Sequence, residues 1–148
     1  MATTIPNSIA AARSGINPSV ICRVSSGWVV MCDMQYLRGY ILLLADPVVA
    51  SINDLDRAQR AAYLCDMAMI GDALLEVTGA YRINYCILGN TDSYLHAHII
   101  PRSLSEPEKF RKGLPWSYPK ELLDAAVFDL KRDKELMQQI AAAIQMRL

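Results

Sequence analysis

Two histidines occur in the whole chain, and they stand two positions apart, at His96 and His98. In an extended segment residues i and i+2 project from the same face, so the two imidazoles stand side by side. Imidazole is mostly neutral near pH 7, and a free ring nitrogen attacks an electrophile without further activation when the other nitrogen donates to a fixed acceptor such as a backbone carbonyl. A second imidazole on the same face can donate to phosphate oxygens or to a leaving group. Amide side chains and an arginine can hold developing charge, and Asn84, Asn90 and Arg102 are the nearest residues of those types. Three roles therefore compete: structural histidines near the surface, half of a metal site, or a nucleophile and its assistant acting on phosphate. The metal role is short of ligands. Zinc usually takes three or four protein ligands, there is no third histidine, and Asp92 is the one carboxylate close by.

The elements that must position this pair follow from apolar periodicity. Val20–Val24 and Trp28–Cys32, split by Ser25-Ser26-Gly27, read as a β-hairpin. Tyr40–Leu44 is a continuous apolar run of the kind found in central strands, ended by Asp46-Pro47. A long helix spans Arg57–Thr78, capped by Asn53 or Asp54 and closed by Gly79. Arg82–Leu88 reads as a strand, Gly89–Ser93 as a turn, and Leu95–Ile100 as the strand carrying the histidines, ended by Pro101. Residues 103–120 hold Pro107, Pro115 and Pro119 among Lys109, Arg111, Lys112, Trp116 and Tyr118, and form a long irregular loop. The basic residues there read as a solvated stretch, with contact to the distal phosphates as the alternative, and Trp116 and Tyr118 as packing for the loop, with stacking on a base as the alternative. Asp133–Met146 is a closing helix with Leu136, Ile140 and Ile144 in register. Strands, long helix, strands and helix make an α+β pattern in one domain over residues 1–148. Residues 1–19 form an N-terminal extension in which Ile9–Arg13 is a turn of helix.

The long helix carries two apolar stripes. Ala61, Leu64, Ala68, Gly71 and Leu75 form one; Tyr63, Met67, Ile70, Leu74 and Val77 form the other. They lie about 200° apart. One stripe covers the sheet, and the Tyr63–Val77 stripe is left for more of the chain or for a second subunit, so a homodimer through this helix is expected.

Composition narrows the partners. The 148 residues are 53% hydrophobic and 20% charged, with fifteen basic residues balancing fifteen acidic ones. There is no basic field to gather a nucleic acid polymer. No segment has the ~18–20 uninterrupted apolar residues that a membrane span needs, and the N-terminus lacks the basic start and hydrophobic region of a signal peptide. Cys22, Cys32, Cys65 and Cys86 form no short pairs and read as reduced, buried thiols of a cytoplasmic protein.

Tyr94-Leu95-His96-Ala97-His98-Ile99-Ile100-Pro101-Arg102 resembles the signature of the histidine triad superfamily, His-φ-His-φ-His-φ-φ, often followed by Pro-Arg. His96 falls on the middle histidine, His98 on the third, and Tyr94 stands where the first is expected. Gly39–Leu44 is similar to the family's Gly-His-apolar strand, with Tyr40 in place of the histidine. Ser51–Leu55 resembles the segment entering its long helix, and Asn84–Asn90 the strand and turn before the triad. The match covers residues from about 20 to 102. It implies a small antiparallel sheet with helices, paired through the long helix and an edge strand, and chemistry at the α-phosphorus of a nucleotide through a covalent nucleotidyl-histidine. Dinucleoside polyphosphate hydrolases, the branch expected here, belong to it, as do nucleoside phosphoramidases and nucleotidyltransferases. No metal is built into the hydrolase branches, and a divalent cation can enter bound to the substrate. Carried over, His96 is the nucleophile and His98 contacts the phosphate and bridging oxygen. Asn84 and Asn90 lie near the phosphates, with Asn84 satisfying backbone groups as the alternative; Arg102 is the candidate for holding charge by its type and position alone. Asp33 is either a turn residue or the carboxylate that accepts from both ribose hydroxyls. Tyr94, Tyr40 and Asn90 depart from the pattern, and an alternative is a nucleotide-binding or scaffold protein with little catalysis.

Overall fold

The computed structural model describes residues 3–148, so the first two positions of the N-terminal extension lie outside the described residues. Five strands form one antiparallel sheet in the order β1-β2-β3-β5-β4: β1 Val20–Val24, β2 Gly27–Met31, β3 Ile41–Ala45, β4 Arg82–Cys86 and β5 His96–Arg102. The β1–β2 hairpin turns at Ser25-Ser26 as its sequence predicts. Gly27 sits so close to β3 that a Cβ there would lie 1.9 Å from the Leu44 carbonyl oxygen, so only glycine admits this pairing.

β4 stops at Cys86, two residues short of the apolar run, and β5 runs on through Pro101 instead of ending before it. The β3 ladder ends at the Ile41–Ile99 pair, so at Pro101 the strand has a neighbour on the β4 side only. The missing N–H is harmless where there is no strand to receive it.

Helix α1 spans Ile5–Arg13 and is longer than the single turn expected, with Thr4 accepting from the Asn7 N–H at its start. Helix α2, Arg57–Thr78, is capped by Asp56 in a capping box with Gln59. Asn53 and Asp54, the expected caps, belong instead to a 3-10 turn, Ile52–Asp54, that Ser51 caps. Gly79 closes α2 in the left-handed conformation, φ 68°, which a side chain would disfavour. Helix α3, Glu108–Arg111, interrupts the segment expected to be irregular, and helix α4, Lys120–Ala125, begins at its end. Helix α5, Leu130–Gln145, starts earlier than Asp133 because Asp129 caps it by accepting from the Arg132 N–H.

One sheet face packs on α2 and α5. The main core joins Val29, Ile41, Leu43, Ala97 and Ile99 of the strands to Tyr63, Ile70 and Leu74 of α2 and to Met137, Ile140 and Ile144 of α5. The Tyr63 hydroxyl donates to the Leu43 carbonyl at 2.8 Å. This reverses the assignment of the helix faces. The Tyr63–Val77 stripe, expected to need a partner, is intrachain core, whereas Leu64 and Leu75 of the other stripe are 41% and 37% exposed. The last helix of the chain, α5, is what covers the additional apolar surface. Cys65 is also exposed, contrary to the expectation of four buried thiols, and all four cysteines are free.

The opposite sheet face carries the histidines and is only partly covered. Ile5 and Ile9 of α1 pack on Val30 and Leu44 at one side. Trp116 and Tyr118 of the loop pack with Tyr40, Leu37 and Ile100 at the other.

Candidate active site

β5 lies between β3 and β4, so its backbone is held from both sides at His98 and by β3 alone at His96. His96 stands opposite Leu44, and His98 lies between Leu42 of β3 and Cys86 of β4. The two rings are 5.0 Å apart at 63°. Nδ1 of the buried His96 lies 2.7 Å from the Tyr94 carbonyl oxygen. A carbonyl only accepts, so Nδ1 carries the proton and Nε2 keeps its lone pair. The fixed backbone acceptor expected for a nucleophilic histidine is therefore present, supplied by the main chain of the residue that stands where another histidine was expected. The Tyr94 side chain is 39% exposed and takes no part in this contact.

His98 is held differently. Its Nδ1 lies 2.6 Å from the Tyr40 hydroxyl, and the Trp116 ring meets it edge-on, centroids 5.5 Å apart and planes at 87°. Burial, and secondarily the adjacent His96, push its pKa down to about 4, so it is neutral at physiological pH. Burial pushes the Tyr40 phenol up, so it stays protonated and able to donate. The sequence presents Tyr40 as a replaced histidine and Trp116 as loop packing or a surface for a base, and neither reading makes it a partner of His98. Nothing local in the chain links position 40 or 116 to position 98.

A cleft of about 610 Å³ opens on this sheet face, with Val30, Leu42 and Leu44 as its floor. Ile5 and Ser8 of α1 wall one side, and Asp33 stands on its rim. Leu42 and Leu44 are the cross-strand neighbours of His98 and His96, so an apolar floor runs directly up to the imidazoles. Asp33 is exposed, and its carboxylate has no hydrogen-bond partner among the described residues. Asn90 is exposed on the turn after Gly89, likewise without a side-chain hydrogen bond among the described residues. Asp92 of the same turn accepts from the Ile5 N–H at 3.3 Å, which ties the turn to the start of α1.

Arg102 does not face the site as a free cation. It is 2% exposed and donates to Glu106, to the Asn84 side-chain oxygen at 2.8 Å, and to the carbonyls of Phe110, Arg111 and Gly113. All five guanidinium N–H groups are engaged, and the charge-holding role expected for Arg102 gives way to a role inside the fold. Asn84 lies on the histidine side of β4, with its Oδ1 committed to Arg102. Among the described residues no three of His, Cys, Asp and Glu converge into a metal site, and no helix is long and apolar enough to cross a membrane.

No family model matches the chain, and no curated protein sequence matches it. Solved structures do. A histidine triad protein from Bradyrhizobium japonicum is 23% identical, with 84% of this chain and 89% of that chain covered and a TM-score of 0.69. A histidine triad protein from Marinobacter aquaeolei superposes with a TM-score of 0.71 at 16% identity, covering 86% and 88% of the two chains. The diadenosine triphosphate hydrolase of Plasmodium falciparum is 18% identical, with a TM-score of 0.59 over 88% of this chain and 78% of that one. The α+β fold of this chain is therefore the histidine triad fold.

Proposed function

We propose that the protein is a nucleotide hydrolase or nucleotidyl transferase acting at the α-phosphorus through His96, with dinucleoside polyphosphates as its substrate class. The observation that carries this reading is the 2.7 Å contact from His96 Nδ1 to the Tyr94 carbonyl, because it leaves Nε2 as a free nucleophile on a rigid central strand. The resemblance to the diadenosine triphosphate hydrolase fold supports the substrate class. The ligand's base lies over the half-buried Leu42, and its ribose hydroxyls donate to Asp33.

In the first step Nε2 of His96 forms a bond to the α-phosphorus. The phosphorus–oxygen bond to the departing polyphosphate breaks, and its electron pair leaves with that group as an anion. With Tyr40 donating to Nδ1 of His98, Nε2–H of His98 points to the departing oxygen and stabilises its charge. His96 is then cationic, substituted on both nitrogens, and the Tyr94 carbonyl dipole favours that state. In the second step a water oxygen bonds to phosphorus, the phosphorus–nitrogen bond breaks, and its electron pair returns to Nε2. One water proton passes to solvent, and nucleoside monophosphate leaves. A divalent cation takes part only as a companion of the polyphosphate. We place this activity in a cytoplasmic homodimer.

The test is turnover of diadenosine tetraphosphate and related dinucleotides, followed as nucleotide release. Wild type is expected to turn over and to form an acid-labile nucleotidyl adduct, and His96→Ala is expected to do neither. No turnover of any dinucleotide or adenosine phosphoramidate overturns the reading. Nucleotides that raise the melting temperature of both proteins without product release establish a binding module instead.

A further inference from the structure

Arg102 is among the largest fully buried side chains of the described residues, and it lies at the end of the strand that carries both histidines. A buried guanidinium is costly unless every donor is met. Here the acceptors come almost wholly from one stretch of chain. Nε lies 3.2 Å from each Glu106 carboxylate oxygen, and Nη2 donates to the Phe110 carbonyl at 2.8 Å. Nη1 donates to the Gly113 carbonyl at 3.1 Å. Glu106 is fastened in turn by the Ser103 N–H at 2.7 Å and the Tyr118 hydroxyl at 2.5 Å. Burial alone would raise this carboxyl, but the hydrogen bonds from Arg102, Tyr118 and Ser103 outweigh it and hold its pKa below the usual range.

The folded loop reaches His98 by two routes. Trp116 stands edge-on to the imidazole at 5.5 Å. The second route is a relay of aromatic rings. Tyr118 meets Tyr36 at 5.3 Å, Tyr36 meets Tyr40 at 6.4 Å, and the Tyr40 hydroxyl meets Nδ1 of His98. The Tyr36 hydroxyl also donates to the Pro115 carbonyl at 2.5 Å, one residue before Trp116. We propose that Arg102 is a positioning residue of the active site: it folds residues 103–118 into a wall whose Trp116 ring shields and orients His98. This rests on the functional reading above for its consequence in catalysis, though not for its geometry. The titratable groups that face His98 are His96 on its own strand, Tyr40 before β3 and Cys86 on β4. None is a carboxylate, so water exclusion by the wall dominates its protonation.

Arg102→Lys keeps the charge but offers three donors in place of five. In this variant the His98 ring titration, followed by NMR, is expected to move upward from about 4 by at least about one unit toward that of an exposed histidine. kcat for a dinucleotide is expected to fall about tenfold or more with KM within about threefold, since orientation and not binding is lost. Trp116→Ala should reproduce the titration shift, and Trp116→Phe should restore most of it. A folded Arg102→Lys protein that loses only melting temperature, with the titration of His98 unchanged, overturns the proposal. Should Arg102→Lys not fold, an unchanged His98 titration in Trp116→Ala overturns it equally. The titration is read without turnover, so an inactive wild type counts against the functional reading alone.

Discussion

The Tyr40 hydroxyl lies 2.6 Å from Nδ1 of His98, although the two residues are 58 positions apart in the chain. The contact makes a residue of β3's approach the partner of a residue on β5, and with the Tyr40 hydroxyl as donor it goes with the His98 tautomer that presents Nε2–H to a ligand. Tyr40→Phe removes the hydroxyl and leaves the packing. It is expected to lower kcat about five- to tenfold, in keeping with ~1 kcal/mol for one hydrogen bond. The ring ¹⁵N shifts of His98 should move toward a mixture of tautomers. Unchanged shifts and kcat would remove Tyr40 from the site.

His96 is oriented by the backbone of Tyr94 and not by its side chain. Tyr94→Ala is therefore expected to keep kcat within about twofold, since it deletes an exposed ring and leaves the carbonyl in place. A loss of tenfold or more would show that the ring itself contacts the ligand. Steady-state kinetics on one dinucleotide decides between them.

Asp33 offers a free carboxylate at the rim of the cleft. If it accepts from the ribose hydroxyls, Asp33→Asn raises KM about tenfold for ribonucleotides and changes it little for 2′-deoxy analogues, with kcat nearly constant. A turn residue would behave otherwise: Asp33→Asn would lower the melting temperature and shift both KM values alike.

The two faces of α2 respond oppositely to charge. Ile70 is fully buried against the sheet, and Ile70→Glu is expected to destabilise by at least about 3 kcal/mol in urea titrations. Leu64 is 41% exposed, and Leu64→Glu should retain the native circular dichroism. We expect the two-fold contact of the homodimer to use the Leu64–Leu75 stripe. Light scattering should then show Leu64→Glu at a mass near 16.5 kDa and the wild type at twice that.

Acid should weaken the fold in two stages. His98 is depressed to about 4 in the folded protein from an ordinary 6.5. Between those values the unfolded chain binds a proton that the folded chain refuses, so stability falls as pH falls through that window. Glu106 and Asp133 are carboxylates held below their usual range; Asp133 is held there chiefly by Arg132. Their contribution is complete above about pH 5 and is lost as pH falls through their ordinary and then their folded values. Urea midpoints should decline from pH 7 to 4 and more steeply below 4, and His98→Asn should flatten the upper part alone.

Much of the fold was legible in the order of residues because strands, helices and caps depend on neighbours one to four positions away. The same-face imidazoles follow from the period of a strand. The left-handed close of α2 follows from Gly79, and the β1–β2 turn from Ser25-Ser26. The fixed backbone acceptor for His96 was expected on chemical grounds, and it lies only two residues away. What depended on distant chain was not legible. Two apolar stripes on α2 were visible, but which one meets the sheet depends on the geometry of β5 and α5. Arg102 looked available for a phosphate because its type and position suit that role. Its donors are engaged because residues 103–113 fold back around it, and their carbonyls carry no signature in sequence. Tyr40 and Trp116 reach His98, and α1 reaches the cleft, only once the sheet order β3-β5-β4 brings segments far apart in the chain onto one face. Local periodicity decided what each element is and which way its side chains alternate. Long-range packing decided which of those side chains meet.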